Sequence, residues 1–526
     1  MTAAHSGHPS HAASDRTVAV IGAGPTGLTL ACELAVAGIP CRVLEKRPQR
    51  VAWSRAMGLE PRTLELFDMR GMAEEFVARG RPWRLQPVGD RRHHLDYALL
   101  DTSFPYVLIL SQHHTEEILE KQAVELGVEI VRGAELTGLT QDDAGVTLEI
   151  RGPGGRWTEH AAYVVGSDGV RSTVRELSGI GFTGRSYQES LVVADVRPAR
   201  PPASLVDARI ADRGLVAVFP LDDGVFRLVV LDRDRMRLPV EQPVTPEELT
   251  DSVLAVFGEN LGIGEVVWAS RFRSEQRLAD HYREGRILLA GDAAHTHLPS
   301  GGQGLQTGIQ DAFNLGWKLA AEVQDRAPAG LLDSYEAERA PIARRVLRQT
   351  DRAFRFETSR TTVANAARWA GMRLMRIRSL QRPLIDDFAG LTLRYRPPSG
   401  AGAGRMIGRR LPDAPLYGAG HTVTRLYEQL RDRSFLLVDQ SPDGRAAAVA
   451  ESRPGPVRAV RAVVGGRRRW PSALLVRPDG HVAWSGDGTR PEGLCSALDR
   501  WVGETPAGPE PQLPQQTVGN TMEDTE

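Results

Sequence analysis

Three kinds of hydrophobic pattern follow one another along the chain. In residues 17–47 a short apolar run, TVAVI, precedes helical spacing in LTLACELAVAG, which ends at Gly38, and a second apolar run, CRVLE. Short apolar runs are typical of buried parallel strands, and glycine commonly ends a helix. The order strand, helix, strand predicts a βαβ unit and therefore a parallel sheet.

A period-two pattern replaces this arrangement further along the chain. Short runs such as GVTLEIRG and YVVGSDG, between 128 and 167, predict a β-meander. More strand-like runs, including LVVADV and FRLVVL, occupy residues 185–275, with one helical pattern, TPEELTDSVLAVFG, among them. Because this block separates two glycine-rich motifs, we expect a substrate-covering β-sheet inserted into a nucleotide-binding domain.

Beyond this block the pattern is mostly helical over 312–390, then rich in proline and glycine, then mixed. A second α/β segment with strand-like runs such as SFLLVD and SALLVRPDGHVAWS follows the proline- and glycine-rich stretch. The predicted organisation is a disordered N-terminus (1–15), a Rossmann-type α/β domain (16–184 and 276–395, with a helical extension over 325–395), the inserted sheet (185–275), a linker (396–405), a C-terminal α/β domain (406–503) and a disordered tail (504–526).

Composition narrows the class of protein without identifying it. Lys and Arg total 65 against 66 Asp and Glu, so no net field attracts nucleic acid or an anionic membrane. Three cysteines, Cys32, Cys41 and Cys495, form no CxxC pair, which favours a reducing cytoplasmic location. The first fourteen residues lack the apolar core of a signal peptide, and no run approaches the 18 apolar residues of a membrane span.

The first glycine-rich motif, GAGPTG at 22–27, stands directly after a predicted strand and opens a predicted helix. In such a motif Gly22 makes the tight turn, Gly24 lets a pyrophosphate approach the backbone, and Gly27 allows close helix–strand packing. Glu45 ends the next strand, where a ribose hydroxyl acceptor belongs, and its charge repels a 2′-phosphate. The motif therefore predicts FAD or NAD, and not NADP, in this loop.

The second motif lies in RILLAGDAAHTHLPSGGQGLQTGIQDAFNLGWKLA, residues 286–320. Asp292, at a strand end, can accept hydrogen bonds from a ribityl chain, and the amides behind Gly301 and Gly302 can stabilise an electron-rich flavin edge. A nicotinamide dinucleotide has no polyol that needs such a site. We therefore predict that both motifs bind a single extended FAD. The GAGAG run at 400–404 follows no strand and is not expected to bind phosphate.

Three motifs carry a resemblance to a known family: GAGPTG with Glu45, VVGSDGVRSTVR (164–175) and LAGDAAHTHLPSGGQGLQTGIQDAFNLGWKLA. Through them the chain resembles the group A flavoprotein monooxygenases, the aromatic hydroxylases of the para-hydroxybenzoate hydroxylase type. SRAMGLEPRTLELFDMRG and ALLVRPDGHVAW make it similar to a subgroup acting on polyketide-type aromatics and rifampicin-like antibiotics. That subgroup has a C-terminal thioredoxin-like domain, which here would lack CxxC because Cys495 is its only cysteine.

The resemblance implies a mechanism and partners. NADPH or NADH reduces FAD as a transient partner, O2 adds at flavin C4a, and the hydroperoxide delivers an electrophilic oxygen to an electron-rich ring. The implied substrate is a bulky polycyclic aromatic, a polyketide-type metabolite or an antibiotic. The sequence leaves open the substrate's identity, the preferred nicotinamide and whether the protein is a monomer or a homodimer.

The resemblance also implies residue roles. Asp168 and Gly169, with Arg171 and Ser172 beside them, would contact FAD and the nicotinamide, Arg55 would lie near the isoalloxazine, and Gln306 stands where many relatives have asparagine. Together with the glycine motif, the expected cofactor-binding residues are Gly22, Gly24, Pro25, Thr26, Gly27, Glu45, Lys46, Arg55, Gln112, Leu136, Asp168, Gly169, Asp292, Pro299, Gly304, Leu305 and Gln306, and the expected catalytic residues are Arg55, Pro299, Gly301 and Gly302.

Simpler interpretations exist for several of these residues. Asp168 can cap a turn, and Arg55 can be one of many solvated arginines. The histidine pairs 93–94, 113–114 and 295/297 lack a completing ligand set at typical spacing, so no metal is expected. Phe219, Phe226 and Trp268 are candidates for the substrate pocket, although aromatic residues more often lie in a core.

Two other functions remain possible at this point. A Baeyer–Villiger enzyme on the same scaffold would attack a ketone, and no motif separates it from a hydroxylase. A flavin-fold protein that binds without turnover is the alternative of another class. A hydrolase lacks its G-x-S-x-G motif and a flavin halogenase lacks WxWxIP.

Overall fold

The computed structural model describes residues 16–51, 56–202, 204, 206–298, 301–397, 404–418, 423–453 and 455–503, without the side chains of 90–92. The predicted disordered ends and most of the predicted linker lie outside these residues. Among the described residues the strands are β1 Val18–Ile21, β2 Cys41–Glu45, β3 Gly58–Leu59, β4 Arg81–Trp83, β5 Leu85–Val88, β6 Asp90–Asp96, β7 Val107–Ile109, β8 Glu129–Arg132, β9 Glu135–Gln141, β10 Val146–Gly152, β11 Gly155–Ala161, β12 Tyr163–Gly166, β13 Phe182–Pro198, β14 Asp207–Ile210, β15 Gly214–Pro220, β16 Phe226–Asp232, β17 Ile263–Ala279, β18 Arg283–Glu284, β19 Ile287–Leu289, β20 His295–Thr296, β21 Pro415–Gly418, β22 Val423–Arg425, β23 Phe435–Asp439, β24 Val457–Val464, β25 Ala473–Val476 and β26 Val482–Gly486.

Helices separate these strands and cover the sheets. Among the described residues the α-helices are α1 Pro25–Val36, α2 Pro61–Asp68, α3 Ala73–Arg79, α4 Gln112–Glu125, α5 Thr173–Leu177, α6 Pro246–Phe257, α7 Gln303–Val323, α8 Asp333–Thr358, α9 Thr362–Leu374, α10 Arg378–Phe388, α11 Arg445–Glu451 and α12 Leu494–Trp501. None of them is long and apolar enough to cross a membrane. Helices α7 to α10 confirm the helical pattern predicted over 312–390.

The first sheet has the order β18-β19-β12-β1-β2-β8 and is parallel except at its β18 edge. All four residues of β1 are buried, as expected for a central parallel strand. Helix α1 connects β1 to β2, which confirms the predicted βαβ unit. The antiparallel strands β9, β10 and β11 form the predicted meander as a separate three-stranded sheet.

The inserted sheet has the order β14-β15-β16-β13-β17-β20. Its two long strands, β13 and β17, pair antiparallel from Phe182 opposite Ala279 to Pro198 opposite Ile263. Strand β13 therefore begins before residue 185 and strand β17 ends after residue 275, so the inserted sheet extends beyond both ends predicted from the hydrophobic pattern. Helix α6 covers one face of this sheet, and the shared core includes Val216, Leu228 and Val253. Strand β20 joins the sheet through His295 opposite Leu278 and links it to the second glycine-rich motif.

The C-terminal sheet has the order β22-β21-β24-β23-β25-β26. Strand β23 pairs in parallel with β24, across helix α11, and antiparallel with β25, which pairs antiparallel with β26 before α12. This βαβββα arrangement is the thioredoxin-like one that the family resemblance implies.

The C-terminal sheet docks on the first sheet's helices through buried charged residues. The Arg477 guanidinium donates to Glu338 of α8 at 2.5 Å and to Asp479. Lys318 of α7 also donates to Glu338 at 2.7 Å. On another side of the contact, Arg62 donates to the Asp479 carbonyl at 3.1 Å. Because these ions are out of solvent, each depends on its partners for solvation.

Candidate functional site

The first glycine-rich motif folds as an open phosphate cradle at the start of α1. Gly22 has φ +105°, and a Cβ there would lie 2.6 Å from the Ser167 carbonyl, so only glycine fits. A Cβ on Gly24 would meet nothing within 4 Å. Helix α1 begins at Pro25 with no side-chain cap and no acidic residue in its first turn. The free N–H groups of Gly24, Thr26 and Gly27 can therefore bind a pyrophosphate, as predicted, whereas Pro25 has no N–H and can contribute only its position at the start of the helix.

Glu45 closes this cradle from the end of β2. Its carboxylate accepts hydrogen bonds from the backbone N–H groups of Ala23 and Arg47, both at 2.9 Å. Glu45 is only half-buried, so the carboxylate also faces solvent, where a ribose hydroxyl could approach. The residue thus fixes the glycine loop as well as offering an acceptor. The sequence suggested only the second role.

Three further predicted cofactor residues lie around the same end of the sheet. Lys46 is exposed directly after β2. The Leu136 side chain is buried in the main core, so only its backbone can face a ligand. Gln112 begins α4, and its side-chain amide donates to Glu116 at 2.8 Å. A contact between Gln112 and a cofactor would therefore use its oxygen or its backbone.

The second motif forms another uncapped helix N-terminus. After β19 the chain makes a short 3-10 turn over Gly291–Ala293, which leaves the Asp292 side chain exposed. Gly301 and Gly302, with φ of +84° and +63°, turn the backbone into α7, which has neither a side-chain cap nor an acidic residue in its first turn. The amides of Gly304 and Leu305 therefore face an electron-rich ligand unopposed. Among the described residues, none donates a hydrogen bond to the Asp292 carboxylate.

The two cradles adjoin at Thr26. A Cβ on Gly291 would lie 2.6 Å from the Thr26 hydroxyl, and one on Gly308 of α7 would collide with the same atom. The first turn of α1 is thus wedged between the Gly291 turn and α7. A group larger than the Thr26 hydroxyl would push the Gly291 turn and α7 apart. The Gly24 turn and the Gly291–Ala293 turn are therefore neighbours through Thr26.

The loop that contains Asp168 contacts the first cradle, but the Asp168 carboxylate already accepts hydrogen bonds from the protein. Asp168 accepts hydrogen bonds from the Ser172 hydroxyl at 2.5 Å and from the N–H groups of Thr173 and Val174 at 2.7 and 3.2 Å. Burial raises the pKa of this carboxyl. The capping interpretation of Asp168 is therefore correct in this structure. Gly169, with φ +83° and open space at its Cβ, offers its backbone to a ligand instead.

Arg175 is a residue of this loop that sequence reasoning did not assign. Its guanidinium donates to the carbonyls of Ala293 and Val170, both at 2.9 Å, and lies 3.8 Å from the centre of the Phe182 ring. It therefore ties the Asp168 loop to the Gly291 turn and to the first residue of β13. The STVR pattern contained the arginine, but the partner that links it to the second motif, the Ala293 carbonyl, lies more than a hundred residues away.

Asp311 is a second missed residue and holds the Gly291 turn from behind. Its carboxylate accepts from the N–H of Gly291 at 3.0 Å, and lies 2.6 Å from both His295 Nε2 and Arg339 Nε. All of these side chains are buried. Although burial opposes it, the charges of Arg339 and His295 hold the pKa of Asp311 below its usual range. This aspartate fixes the turn that presents Asp292.

Gln306, a predicted cofactor-binding residue, uses its side chain to hold the segment before α2. Its side-chain oxygen accepts from the Thr63 hydroxyl at 2.5 Å and from the Glu60 N–H at 3.2 Å, and its amide donates to the Gly58 carbonyl at 2.8 Å. The side chain is therefore fully engaged in holding the segment before α2. Only the Gln306 backbone is available to a flavin, as are those of Gly304 and Leu305. Two other predicted residues, Arg55 and Pro299, lie outside the described residues.

One face of the inserted sheet carries a polar pair between two aromatic residues. Register places Phe219 opposite Arg227, Arg227 opposite Asp195, and Asp195 opposite Trp268, so all four share a face. Arg227 donates two hydrogen bonds of 2.7 Å to Asp195 and has a third nitrogen, NH1, that is buried without a partner. Phe226 lies on the opposite face, in the core with α6, which rules it out as a pocket residue.

His113 and His114, one of the histidine pairs considered as metal ligands, have protein partners. His113, His114 and Glu117 form the one group with metal-ligand geometry in the described part of the chain. However, Arg79 donates to Glu117 at 2.8 Å, and His114 Nε2 lies 2.5 Å from an oxygen of Asp222. A guanidinium cation thus already neutralises the acid of this group. That the protein needs no metal stays a prediction.

The geometry of the two cradles fits FAD. Both helix N-termini have free amides, Gly24 leaves space for a pyrophosphate, and the Asp292 carboxylate can accept from ribityl hydroxyls. Only a dinucleotide with a polyol and an electron-rich ring uses all of these groups. The fold and the residues of the two cradles therefore define an FAD-binding flavoprotein.

Comparisons with known proteins name the family. Residues 15–350 match the family described as FAD binding domain, and residues 404–505 match that described as aromatic-ring hydroxylase, C-terminal. The chain is 40% identical over 505 residues to a 12-dehydrotetracycline 5-monooxygenase/anhydrotetracycline 6-monooxygenase of Streptomyces rimosus, covering 92% of this chain and 98% of that protein. The chain belongs to the FAD-dependent aromatic-ring hydroxylases, and it is a monooxygenase of the group A type.

Two further similarities agree. A rifampicin monooxygenase of Streptomyces venezuelae is 38% identical over 93% of this chain and 99% of its own length. The solved structure of an anhydrotetracycline hydroxylase from Streptomyces rimosus has a TM-score of 0.82 and 39% identity, and covers 93% of this chain and 99% of that one. These findings confirm the predicted family, fold class and FAD cofactor. The individual site residues stay predictions.

Replacing Asp292 with alanine should weaken FAD retention. The variant loses the carboxylate that would accept from the ribityl hydroxyls, and a hydrogen bond to a charged group contributes about 1.5–3 kcal/mol. The dissociation constant for FAD should therefore rise roughly 10- to 100-fold. Flavin fluorescence titration of the apoprotein measures it, with the exposed Asp143→Ala as control. An Asp292→Ala variant that purifies with full flavin would contradict the assignment.

Replacing Glu45 with arginine should impair FAD loading at the adenine end. The variant loses the acceptor for Ala23 N–H and for the ribose, whereas Glu45→Gln keeps a neutral oxygen at that place. We expect FAD affinity to fall at least tenfold, corresponding to about 1.4 kcal/mol, in Glu45→Arg and less in Glu45→Gln. Isothermal titration with FAD distinguishes the two. Equal affinity in Glu45→Arg and the wild type would mean that another residue holds the ribose.

Proposed function

We propose that this protein uses NADPH or NADH and O2 to hydroxylate a bulky polycyclic aromatic, such as a polyketide-type metabolite or antibiotic. The observation that carries this proposal is the continuous cradle formed where Thr26 joins the Gly291 turn and α7. The relatives from both Streptomyces species, whose names specify tetracycline and rifampicin monooxygenases, support the substrate class.

In this proposal the chain's residues bind and orient, and the cofactor supplies the oxidant. When bound and reduced by the nicotinamide, FAD would supply the O2-activating chemistry and the electrophilic oxygen. The amides at the start of α1 hold the pyrophosphate, Glu45 and Asp292 accept from the sugar hydroxyls, and the amides of Gly304 and Leu305 stabilise negative charge on the flavin edge. The Asp168–Gly169 loop offers its backbone, at Gly169, to FAD and to the transient nicotinamide.

The substrate would lie between the inserted sheet and the β4–β7 region. Phe219 of the sheet packs in one apolar cluster with Tyr97, Val107 and Ile385 of α10. A second apolar cluster joins Leu298, directly before the predicted Pro299, to the sheet. Such surroundings exclude water and suit a planar aromatic. The division into domains at 16–184 with 276–395, 185–275 and 406–503 is part of this proposal, as are a cytoplasmic location and a monomer or homodimer.

The test is turnover under 18O2. Purified holoenzyme is given NADPH or NADH with anhydrotetracycline or rifampicin, and the product is examined by mass spectrometry and NMR. Incorporation of one 18O atom as a phenolic or alcoholic hydroxyl supports hydroxylation. One 18O atom in a ring-expanded lactone would instead establish the Baeyer–Villiger alternative. A protein that neither consumes the nicotinamide nor changes any aromatic substrate would be the non-catalytic binding protein.

A further inference from the structure

We propose that Glu60, paired with Tyr97, accepts the proton of a substrate hydroxyl group and so converts the aromatic substrate into its phenolate. This inference rests on the proposed hydroxylase function and deepens it, since it names a proton acceptor and a phenolic substrate. Glu60 lies in the SRAMGLEPRTLELFDMRG motif, which assigned it no role, and Tyr97 lies in no motif. Their position, their pairing and their surroundings carry the inference.

Glu60 lies within one side chain of the flavin cradle. It is the residue immediately before α2, with extended backbone, and its N–H donates to the Gln306 side-chain oxygen at 3.2 Å. Gln306 stands in the first turn of α7, the turn whose amides would face the flavin edge. A substrate presented to the flavin ring would thus pass close to the Glu60 carboxyl.

The Glu60 carboxyl has a neutral partner and no cation. The Tyr97 hydroxyl donates to it at 3.3 Å, and no described arginine, lysine or histidine forms an ion pair with it. Glu65, five residues further on, shows the opposite arrangement, since Arg62 and Arg410 both bind it, at 3.1 and 2.8 Å. A carboxylate that is partly removed from water and has no cation beside it destabilises a fold. A purely structural role would therefore not favour this arrangement.

The charged groups near the pair face elsewhere. Asp96, next to Tyr97, pairs with Arg378 of α10 at 3.0 Å, and Arg62 of α2 turns towards Glu65. The α7 side chain next to Glu60 is the neutral Gln306. Burial raises the pKa of Glu60 to about 8, partly offset by the hydrogen bond from Tyr97. A base with a pKa near the working pH transfers protons efficiently.

The surroundings of the pair suit an aromatic ring. Tyr97 is buried in the apolar cluster that also contains Leu95, Val107 and Phe219 of the inserted sheet. Glu60 itself keeps partial exposure. A phenol can therefore place its ring against the apolar cluster and its hydroxyl against the carboxyl or the tyrosine oxygen.

The proposed step balances without a further reactant. The substrate O–H bond breaks, and its proton moves to the Glu60 carboxylate, directly or by way of the Tyr97 hydroxyl, which passes its own proton on. The electron pair stays on the substrate oxygen. It increases electron density at the ring carbons ortho and para to that oxygen, where the electrophilic oxygen supplied at the flavin is received. The proton on Glu60 is afterwards released to solvent.

The first test compares Glu60→Gln and Tyr97→Phe holoenzymes with Glu74→Gln and Tyr106→Phe as controls. Anhydrotetracycline serves as the phenolic probe, without a nicotinamide, and its absorbance reports ionisation of the bound probe from pH 6 to pH 9. We expect the probe bound to Glu60→Gln to ionise only at a higher pH than the probe bound to the wild type. The proton concentration at its midpoint should be at least tenfold lower. Where the probe turns over, we expect kcat to fall roughly 100-fold with KM and FAD content unchanged.

An unchanged ionisation profile in Glu60→Gln would overturn the proposal. An effect on KM or FAD content alone would also overturn it, because that would indicate a structural role. Glutamine preserves the acceptor for Tyr97, so the variant is expected to fold.

The second test needs no substrate. Because the folded pKa of Glu60 is raised, this group favours the fold below the unfolded pKa of about 4.3, and the contribution is lost as pH rises to about 8. The midpoint temperature of unfolding of Glu60→Gln should therefore rise relative to that of the wild type between pH 4.5 and pH 8. The difference between Glu74→Gln and the wild type should stay constant over the same range. A constant difference would overturn the proposed state of Glu60. Failure of the wild type to oxidise any aromatic would refute the proposed function and leave this measurement valid.

Discussion

Replacing Asp311 with alanine is expected to lower the free energy of unfolding by about 3–5 kcal/mol, the range seen when one member of a buried ion pair is removed. The variant leaves the Arg339 guanidinium without its carboxylate, removes the partner of His295 Nε2 and frees the N–H of Gly291. All of these groups are buried. Because Gly291 positions Asp292, FAD affinity should fall as well, although Asp311 lies behind the cradle.

Chemical denaturation of apoprotein and holoprotein measures both effects. The exposed Asp333→Ala, which removes only the surface pair with Arg283, serves as control and should change stability by less than about 1 kcal/mol. Asp311→Asn keeps an oxygen for one of the donors and should lie between the two. If Asp311→Ala unfolded at the same denaturant concentration as Asp333→Ala, the buried cluster would not hold the turn as described.

Replacing Arg477 with alanine is expected to cost a similar 3–5 kcal/mol and to loosen the C-terminal sheet from α7 and α8. Glu338 and Asp479 would then share a buried site with Lys318 as the remaining cation. Although burial opposes it, Arg477 and Lys318 hold the pKa of Glu338 at about 2. The ionised Glu338 therefore stabilises the wild-type fold at any pH above the usual pKa of a glutamate. This contribution is lost as the pH falls towards 2.

Thermal unfolding as a function of pH measures the loss, and limited proteolysis reports whether the C-terminal sheet separates. The exposed Arg467→Ala is the control, because it removes an arginine from the loop between β24 and β25 of the same domain. In Arg477→Ala the acid-dependent loss of stability between pH 4 and pH 2 should shrink. An Arg477→Ala protein that kept the wild-type profile would show that the interface is held by its apolar contacts.

Local features of the fold could be predicted from the sequence because their causes are local. The βαβ unit followed from two apolar runs around a helical pattern that ends at Gly38, and β1, α1 and β2 confirm it. The ends of β13 and β17 were less well predicted. Residues such as Arg185 and Glu275 at those ends are polar and exposed or half-buried, so hydrophobic alternation fades before the strands end.

The residues that support the site or dock the C-terminal sheet could not be predicted because their partners are distant in sequence. Arg175 reaches Ala293, and Arg477 reaches Glu338, more than a hundred residues away in each case. Glu60 belonged to a motif that carried the family resemblance, but its partner Tyr97 belonged to none. Asp168 illustrates the reverse, since its capping of α5 was a local alternative that the sequence already offered and that the structure bears out.

The central claim is that one FAD extends from the α1 cradle to the α7 cradle. A crystal structure of the holoenzyme tests it most directly. The account predicts the adenosine beside Glu45, the pyrophosphate at Gly24, the ribityl chain on Asp292 and the isoalloxazine against the amides of Gly304 and Leu305. A dinucleotide confined to the loop at residues 22–27, with nothing across residues 291–306, would contradict it.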